Sequence, residues 1–138
     1  MNLKNSSAKI PKILANKLNN KKLSKIYNYF EKSLNINDKF VVAVSGGADS
    51  LALSFLAKIY SIKKKLKIRY LIIDHKLRSE STHEAKNVKK ILQKFSIKAE
   101  ILTWKGKKPS KNIQSIARKK RYELLFSKCR KLNINNIL

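Results

Sequence analysis

The stretch KFVVAVSGGADS, residues 39–50, decides how this chain folds. Lys39–Val44 is a continuous apolar, β-branched run, the pattern of a strand buried on both faces of a sheet. Ser45–Ser50 follows with two of the chain's three glycines and reads as a tight turn. Leu51–Lys65 then places Leu53, Leu56, Ala57 and Tyr60 at helical spacing. A buried strand, a glycine turn and a helix in succession open an α/β unit.

Downstream, the alternation continues. Ile68–Ile73 is a second buried strand, Asp74–Ser79 a polar loop, and Glu80–Phe95 a helix with Ala85, Val88, Leu92 and Phe95 inward. Lys98–Trp104 is a third strand, and Lys105–Lys111 a loop with Gly106 and Pro109. Asn112–Leu132 is a long basic helix, and Asn135–Leu138 opens a fourth strand. Strands joined by helices through short connections predict an α/β fold, a parallel sheet with helices on both faces. A strand that opens at Asn135 leads us to expect a sheet incomplete at its C-terminal side.

Upstream, Leu23, Ile26, Tyr27, Phe30 and Leu34 mark one face of a short amphipathic helix starting at Lys21. Met1–Asn20 is rich in Lys, Asn and Ser, and no acid precedes Glu31. This composition predicts a flexible basic arm over residues 1–20, ahead of one domain over residues 21–138. The arm has no secretory apolar core, and no arginine precedes Arg69, which argues against an organellar transit peptide.

Charge narrows the partners. Lys and Arg number 33 against 8 Asp and Glu, a formal net charge of +25. Such a field attracts polyanions: nucleic acid, nucleotides or an anionic surface. The 43% hydrophobic content excludes wholesale disorder. Apolar runs such as Phe40–Val44 and Tyr70–Ile73 are far too short to span a membrane, so we expect a soluble, cytoplasmic protein without a membrane partner. The single cysteine, Cys129, excludes a disulfide framework or a cysteine-built metal site within the chain.

The chemistry concentrates at Ser45–Ser50. Gly46 and Gly47 lack Cβ atoms, so the backbone can approach a phosphate and aim N–H groups at its oxygens. The N-terminus of the following helix adds partial positive charge at the same spot. Ser45 and Ser50 supply hydroxyl donors, and Asp49 either carries Mg²⁺ or caps the helix; a plain tight turn with Asp49 as N-cap is the simpler alternative. A P-loop is excluded because no lysine follows the second glycine. The dinucleotide fingerprint is excluded because Leu51–Leu53 offers no third glycine.

Ser45-Gly46-Gly47-Ala48-Asp49-Ser50 after a first buried strand resembles the pyrophosphate loop of the N-type ATP pyrophosphatases, the PP-loop superfamily. Within it, Asp74-His75-Lys76-Leu77-Arg78-Ser79-Glu80-Ser81 is similar to the Asp-His-x-Leu-Arg-x-x-Ser signature of tRNA(Ile)-lysidine synthetases, with Lys76 where that family usually has Gly. Asn112-Ile113-Gln114, Ala117-Arg118 and Arg121-Tyr122 match a further block of the same family. The resemblance covers about Lys39 to Leu138 and implies a Rossmann-like fold of the adenine nucleotide alpha-hydrolase type, with residues 21–138 forming part of an ATP-binding PP-loop domain.

The resemblance also implies a reaction. ATP activates C2 of the wobble cytidine in a minor isoleucine tRNA with a CAU anticodon, and the amine of free L-lysine displaces AMP to give lysidine. Ser45, Gly46, Gly47, Ala48, Asp49 and Ser50 would then hold pyrophosphate and Mg²⁺, with Asp49 on the metal. Asp74, His75 and Arg78 would line the ATP pocket. Arg118 and Arg121 would face the phosphates or the activated cytidine and, with Asp49, carry catalysis. Family members continue into a His/Asp-rich active-site segment and tRNA-binding domains beyond the part matched here, so turnover by this chain alone is not expected. Residue by residue, simpler readings stand beside these: His75 as a helix cap, and Arg118 and Arg121 as members of a solvated basic face. Tyr122, Leu124, Leu125 and Phe126 read as core, and Trp104 as either core or a stacking surface. Two other functions stay open. One is thiolation of tRNA cytidine by a related enzyme that uses paired cysteines; the other is an inactive basic RNA-binding fragment.

Overall fold

The computed structural model describes residues 10–138. Five helices and four strands follow in order: α1 (Lys12–Leu18), α2 (Lys21–Ser33), β1 (Phe40–Val44), α3 (Ala48–Lys64), β2 (Ile68–Asp74), α4 (Ser81–Lys94), β3 (Ala99–Thr103), α5 (Ile113–Leu132) and β4 (Asn136–Ile137). All strand pairs are parallel, in the order β3-β2-β1-β4. Val42 lies opposite Tyr70, and Phe40 opposite both Ile68 and Asn136.

The pleat sends alternate residues of β1 to opposite faces, and both faces are apolar. Phe40, Val42 and Val44, with Tyr70 and Ile72, pack against Ala57 and Tyr60 of α3 and Ala85, Val88 and Leu92 of α4. Val41 and Leu71 face the other way, onto Leu125 and Cys129 of α5. Each Val, Leu, Ile or Phe among these withdrawn from water contributes roughly 1.5–3 kcal/mol. Helices therefore cover both faces of a parallel sheet, in agreement with the sequence pattern.

At the N-terminal side the structure departs from the flexible arm. Residues 1–9 lie outside the described residues, but Lys12–Leu18 is a helix with Leu14 buried in the core. Ile10, Leu14 and Leu18 recur every four residues, which puts three apolar side chains on one face despite the Lys- and Asn-rich composition. Asn20 then caps α2, its side-chain oxygen accepting from the N–H groups of Lys22 (2.9 Å) and Leu23 (3.3 Å). On α2 itself, Tyr27 and Phe30 meet the core, whereas Leu23 and Ile26, expected inward, stay exposed.

The chain builds outward from β1 to β2 and β3, and α5 then carries it back to β4 on the opposite side of β1. The strand order reverses at β1, and in open α/β sheets ligands bind beyond the carboxyl ends of strands at such a point. The turn Ser45–Gly47 leaves β1 there.

Candidate functional site

The glycine turn is held from both sides. Gly46 has φ +92°, and a Cβ built on it would collide with Cγ2 of Val88 on α4. Only glycine satisfies both conditions. Gly47 is different: a Cβ there would meet nothing but Ser45 Oγ at 3.8 Å, so the space beside it is open. The Ser45 N–H donates to Ser50 Oγ at 2.9 Å and closes the turn. Helix α3 starts at Ala48, three residues earlier than the apolar periodicity predicts, with Gly47 at the N-cap and no side-chain cap. Asp49 therefore does not cap the helix. It sits exposed in the first turn, beside N–H groups that no side chain satisfies.

At the end of β2, Asp74 is buried and does not line the pocket. Its carboxylate accepts from Ser81 Oγ (2.7 Å), Thr82 Oγ1 (2.7 Å) and the Lys76 N–H (3.1 Å), tying the strand end to the start of α4. Burial opposes ionisation of Asp74, but the hydroxyls of Thr82 and Ser81, together with the N–H and ammonium of Lys76, hold its carboxyl below the usual range. Lys76 adopts φ +56°, the left-handed region that favours glycine. His75 Nδ1 accepts from the Leu77 N–H at 3.2 Å, which leaves the proton of a neutral ring on Nε2. Burial, then the Arg78 and Arg121 guanidinium groups, push the His75 pKa down and favour that neutral ring.

These pieces enclose a cavity of about 390 Å³. Ser45 from the turn, His75 and Arg78 from the β2–α4 loop, Ser81 and Glu84 from α4 and Arg121 from α5 are among its polar lining; Val44, Ile72 and Val88 form part of its apolar floor. A second, more open cavity of about 630 Å³ shares His75, Arg78 and Arg121 and adds Arg118 and Gln114. The volume suits a small molecule, and cationic groups over an apolar floor suit one with both phosphate and an aromatic body. Arg118 and Arg121, three residues apart on α5, border the second cavity together, and Arg121 alone reaches the first.

Residues 16–138 match the PP-loop domain family. The chain belongs to that family. It is 46% identical over 102 residues to the tRNA(Ile)-lysidine synthase of Orientia tsutsugamushi (strain Boryong), covering 74% of this chain and 23% of that protein. The lysidine synthase of Bartonella henselae (strain Houston 1) is 44% identical over 95 residues, 67% of this chain and 19% of its own length. That of Rickettsia bellii (strain OSU 85-389) is 35% identical over 115 residues, 79% and 27% respectively. The chain thus spans between 19% and 27% of the length of these relatives. Among solved structures, the U34-tRNA thiolase NcsA from Methanococcus maripaludis with its [4Fe-4S] cluster has the same fold, with a TM-score of 0.71 at 17% identity over 83% of this chain and 44% of that one.

In this PP-loop domain three residues that face the first cavity differ from the sequence reading or were missed by it. Tyr122 and Phe126 are 42% and 46% exposed rather than core; their rings stack 5.8 Å apart and form one wall. The Arg118 guanidinium lies 5.6 Å from the Tyr122 ring centroid. Glu84 of α4 also borders the cavity and receives Arg78 Nη2 at 2.8 Å. Its position one helical turn beyond Ser81 is the signal that could have found it. Trp104 packs against Gly106, with Lys120 Nζ 5.7 Å from its ring, so at least one face of the indole is occupied.

Proposed function

We propose that this chain carries the ATP-binding part of a tRNA(Ile)-lysidine synthetase. The relatives named above carry that name, and the observation that bears most weight is the convergence of Ser45, His75, Arg78 and Arg121 on one cavity at the switch point of the sheet. ATP would seat its phosphates at Ser45–Ser50, against the uncapped N-terminus of α3. Its base and ribose would occupy the cavity. Asp49, exposed in the first turn of α3, would be the carboxylate on a phosphate-bound cation, and among the described residues no group of three His, Cys, Asp or Glu is placed to hold a metal ion by itself. A single carboxylate suits Mg²⁺, which is commonly held by one or two carboxylates and substrate phosphates; when bound, the ion would neutralise phosphate charge.

The cytidine C2 oxygen would attack the α-phosphorus with loss of pyrophosphate, and the amine of free L-lysine would then displace AMP at C2. Arg121 and Arg118 would stabilise the negative charge on the transferring phosphoryl group. Neutral His75 would donate from Nε2 without adding a further positive charge beside two arginines. The protein would work in the cytoplasm on a tRNA(Ile) with a CAU anticodon.

The sulfur-transfer alternative fits less well. Cys129 is buried against the sheet, and burial pushes its thiol up, away from the thiolate that such chemistry needs. Titration calorimetry with ATP·Mg²⁺, GTP·Mg²⁺ and inorganic triphosphate tests the nucleotide reading. A preference for ATP that Gly47→Val abolishes is expected. Equal affinity for all three polyanions would overturn it in favour of binding by charge alone.

A further inference from the structure

We propose that the outward face of α2 is an RNA-binding ridge, on which Tyr29 stacks against a base while Lys22, Lys25 and Lys32 meet the flanking phosphates. The inference rests on the RNA-acting reading above and assigns it a contact surface apart from the nucleotide cavity.

Tyr29 is 77% exposed, far more than any other large apolar or aromatic side chain described. Lys25 and Lys32 stand four residues before and three after it, and Lys22 a further turn before, so all four residues share one helix face. All four are exposed, and among the described residues none of the three lysines is paired with an acid. The preceding segment supplies no acid either, because Glu31 is the first in the sequence. Glu31 is the only acid on α2, and it is engaged elsewhere, 3.4 Å from Lys63 Nζ and 3.5 Å from Lys64 Nζ on α3.

The opposite face of α2 is already committed to the protein. Tyr27 is buried with Lys63 Nζ 4.4 Å from its ring centroid, and Phe30 meets Tyr60 edge-on at 6.2 Å. A helix lying in a membrane surface inserts its apolar stripe among the lipids. Here Tyr27 and Phe30 of that stripe face the core, and Leu23 and Ile26, 40% and 44% exposed, are its only members left outside. An exposed aromatic ring among unneutralised lysines instead matches the platform on which nucleic acid bases stack while cations track the backbone. The ridge is also remote from the glycine turn. Helix α3 starts at the turn and runs 17 residues, roughly 25 Å, to the lysines that hold Glu31. RNA gripped here would be held well away from the reacting atoms.

Filter binding of a tRNA(Ile) transcript at two salt concentrations tests the ridge, using Tyr29→Ala, Tyr29→Trp and the triple variant Lys22→Gln, Lys25→Gln, Lys32→Gln. We expect Tyr29→Ala to weaken binding about tenfold and Tyr29→Trp to retain it. The triple variant should weaken binding at low salt and reduce the salt slope by about 2 to 3. All these side chains are exposed, so circular dichroism and ATP affinity should be unchanged. RNA affinity and salt slope at wild-type values in both Tyr29→Ala and the triple variant would overturn the proposal. So would binding to phosphatidylserine vesicles that Tyr29→Ala abolishes while RNA affinity holds, since that outcome assigns the face to a membrane. A protein that binds ATP but ignores the α2 variants refutes the ridge alone. One that fails to prefer ATP but loses RNA through these variants refutes the nucleotide reading alone.

Discussion

Gly46 lies directly against Val88, with no room between them for a methyl group. The contact joins the turn that leaves β1 to the middle of α4, two segments more than forty residues apart in the sequence, and it fixes the turn at φ +92°. Its neighbour Gly47 faces open space. Two adjacent glycines thus serve different ends, the first structural and the second available to a ligand.

Substitutions should separate those roles. Gly46→Ala is expected to destabilise the fold by about 2–4 kcal/mol through backbone strain and overpacking against Val88. Gly47→Val should cost only about 0.5–1 kcal/mol, because valine is a poorer N-cap than glycine, while removing ATP binding, because the side chain fills the space beside the helix N-terminus. Urea unfolding and titration calorimetry on both variants check this; a Gly46→Ala protein as stable as wild type would refute the packing argument.

Asp74 gives stability a dependence on pH. Its folded pKa is depressed below the ordinary 3.8, so its contribution is fully present above that value and is lost as pH falls through the lowered one. Asp74→Asn should lose about 1–3 kcal/mol at neutral pH, since the hydroxyls of Ser81 and Thr82 lose a charged acceptor. The loss should shrink toward acid. Urea midpoints measured from pH 7 down to pH 3 would show the two proteins converging; a constant gap would contradict the assignment.

Lys76 occupies a left-handed conformation at a position where the sequence motif usually has glycine. Its ammonium is 3.8 Å from Asp74 but half exposed, so the pair offsets little of the backbone cost. Lys76→Gly should therefore raise stability by about 0.5–1 kcal/mol, seen as a higher thermal midpoint. A lower midpoint would mean that the ion pair outweighs the strain.

The net charge of +25 should dominate RNA affinity. Binding should fall steeply with salt as neutralised phosphates release counterions, a contribution that carries no sequence information. Isoleucine and unrelated tRNAs should bind this 138-residue polypeptide within about threefold of each other, less than ~1 kcal/mol. Competition filter binding at two salt concentrations measures it, and a large preference for the isoleucine tRNA would place selecting contacts within these residues.

The parts of the fold that were legible in the sequence are local. Apolar runs at Phe40–Val44 and Ile68–Ile73 announce buried strands, and the paired glycines after Val44 mark the turn, because each signal lies within a few residues. The site was legible as a set of names and not as roles. Asp74 reads as a pocket residue until its partners Ser81 and Thr82, seven and eight positions on, turn it inward. Tyr122 and Phe126 read as core because helical periodicity cannot tell which apolar residues of α5 meet the sheet; Leu125 and Cys129 do. The helix Lys12–Leu18 was hidden by composition, since three apolar residues at four-residue spacing are easily lost among Lys and Asn.

The burial of Cys129 on the sheet-facing side of α5 has a practical consequence. As the only sulfhydryl in the chain, it can be alkylated only when α5 lifts from Val41 and Leu71 or when the whole domain opens. Its labelling rate is therefore a built-in clock for that motion, read without any engineered probe. If nucleotide binds against Arg121 and Tyr122 on the same helix, added ATP should slow the clock.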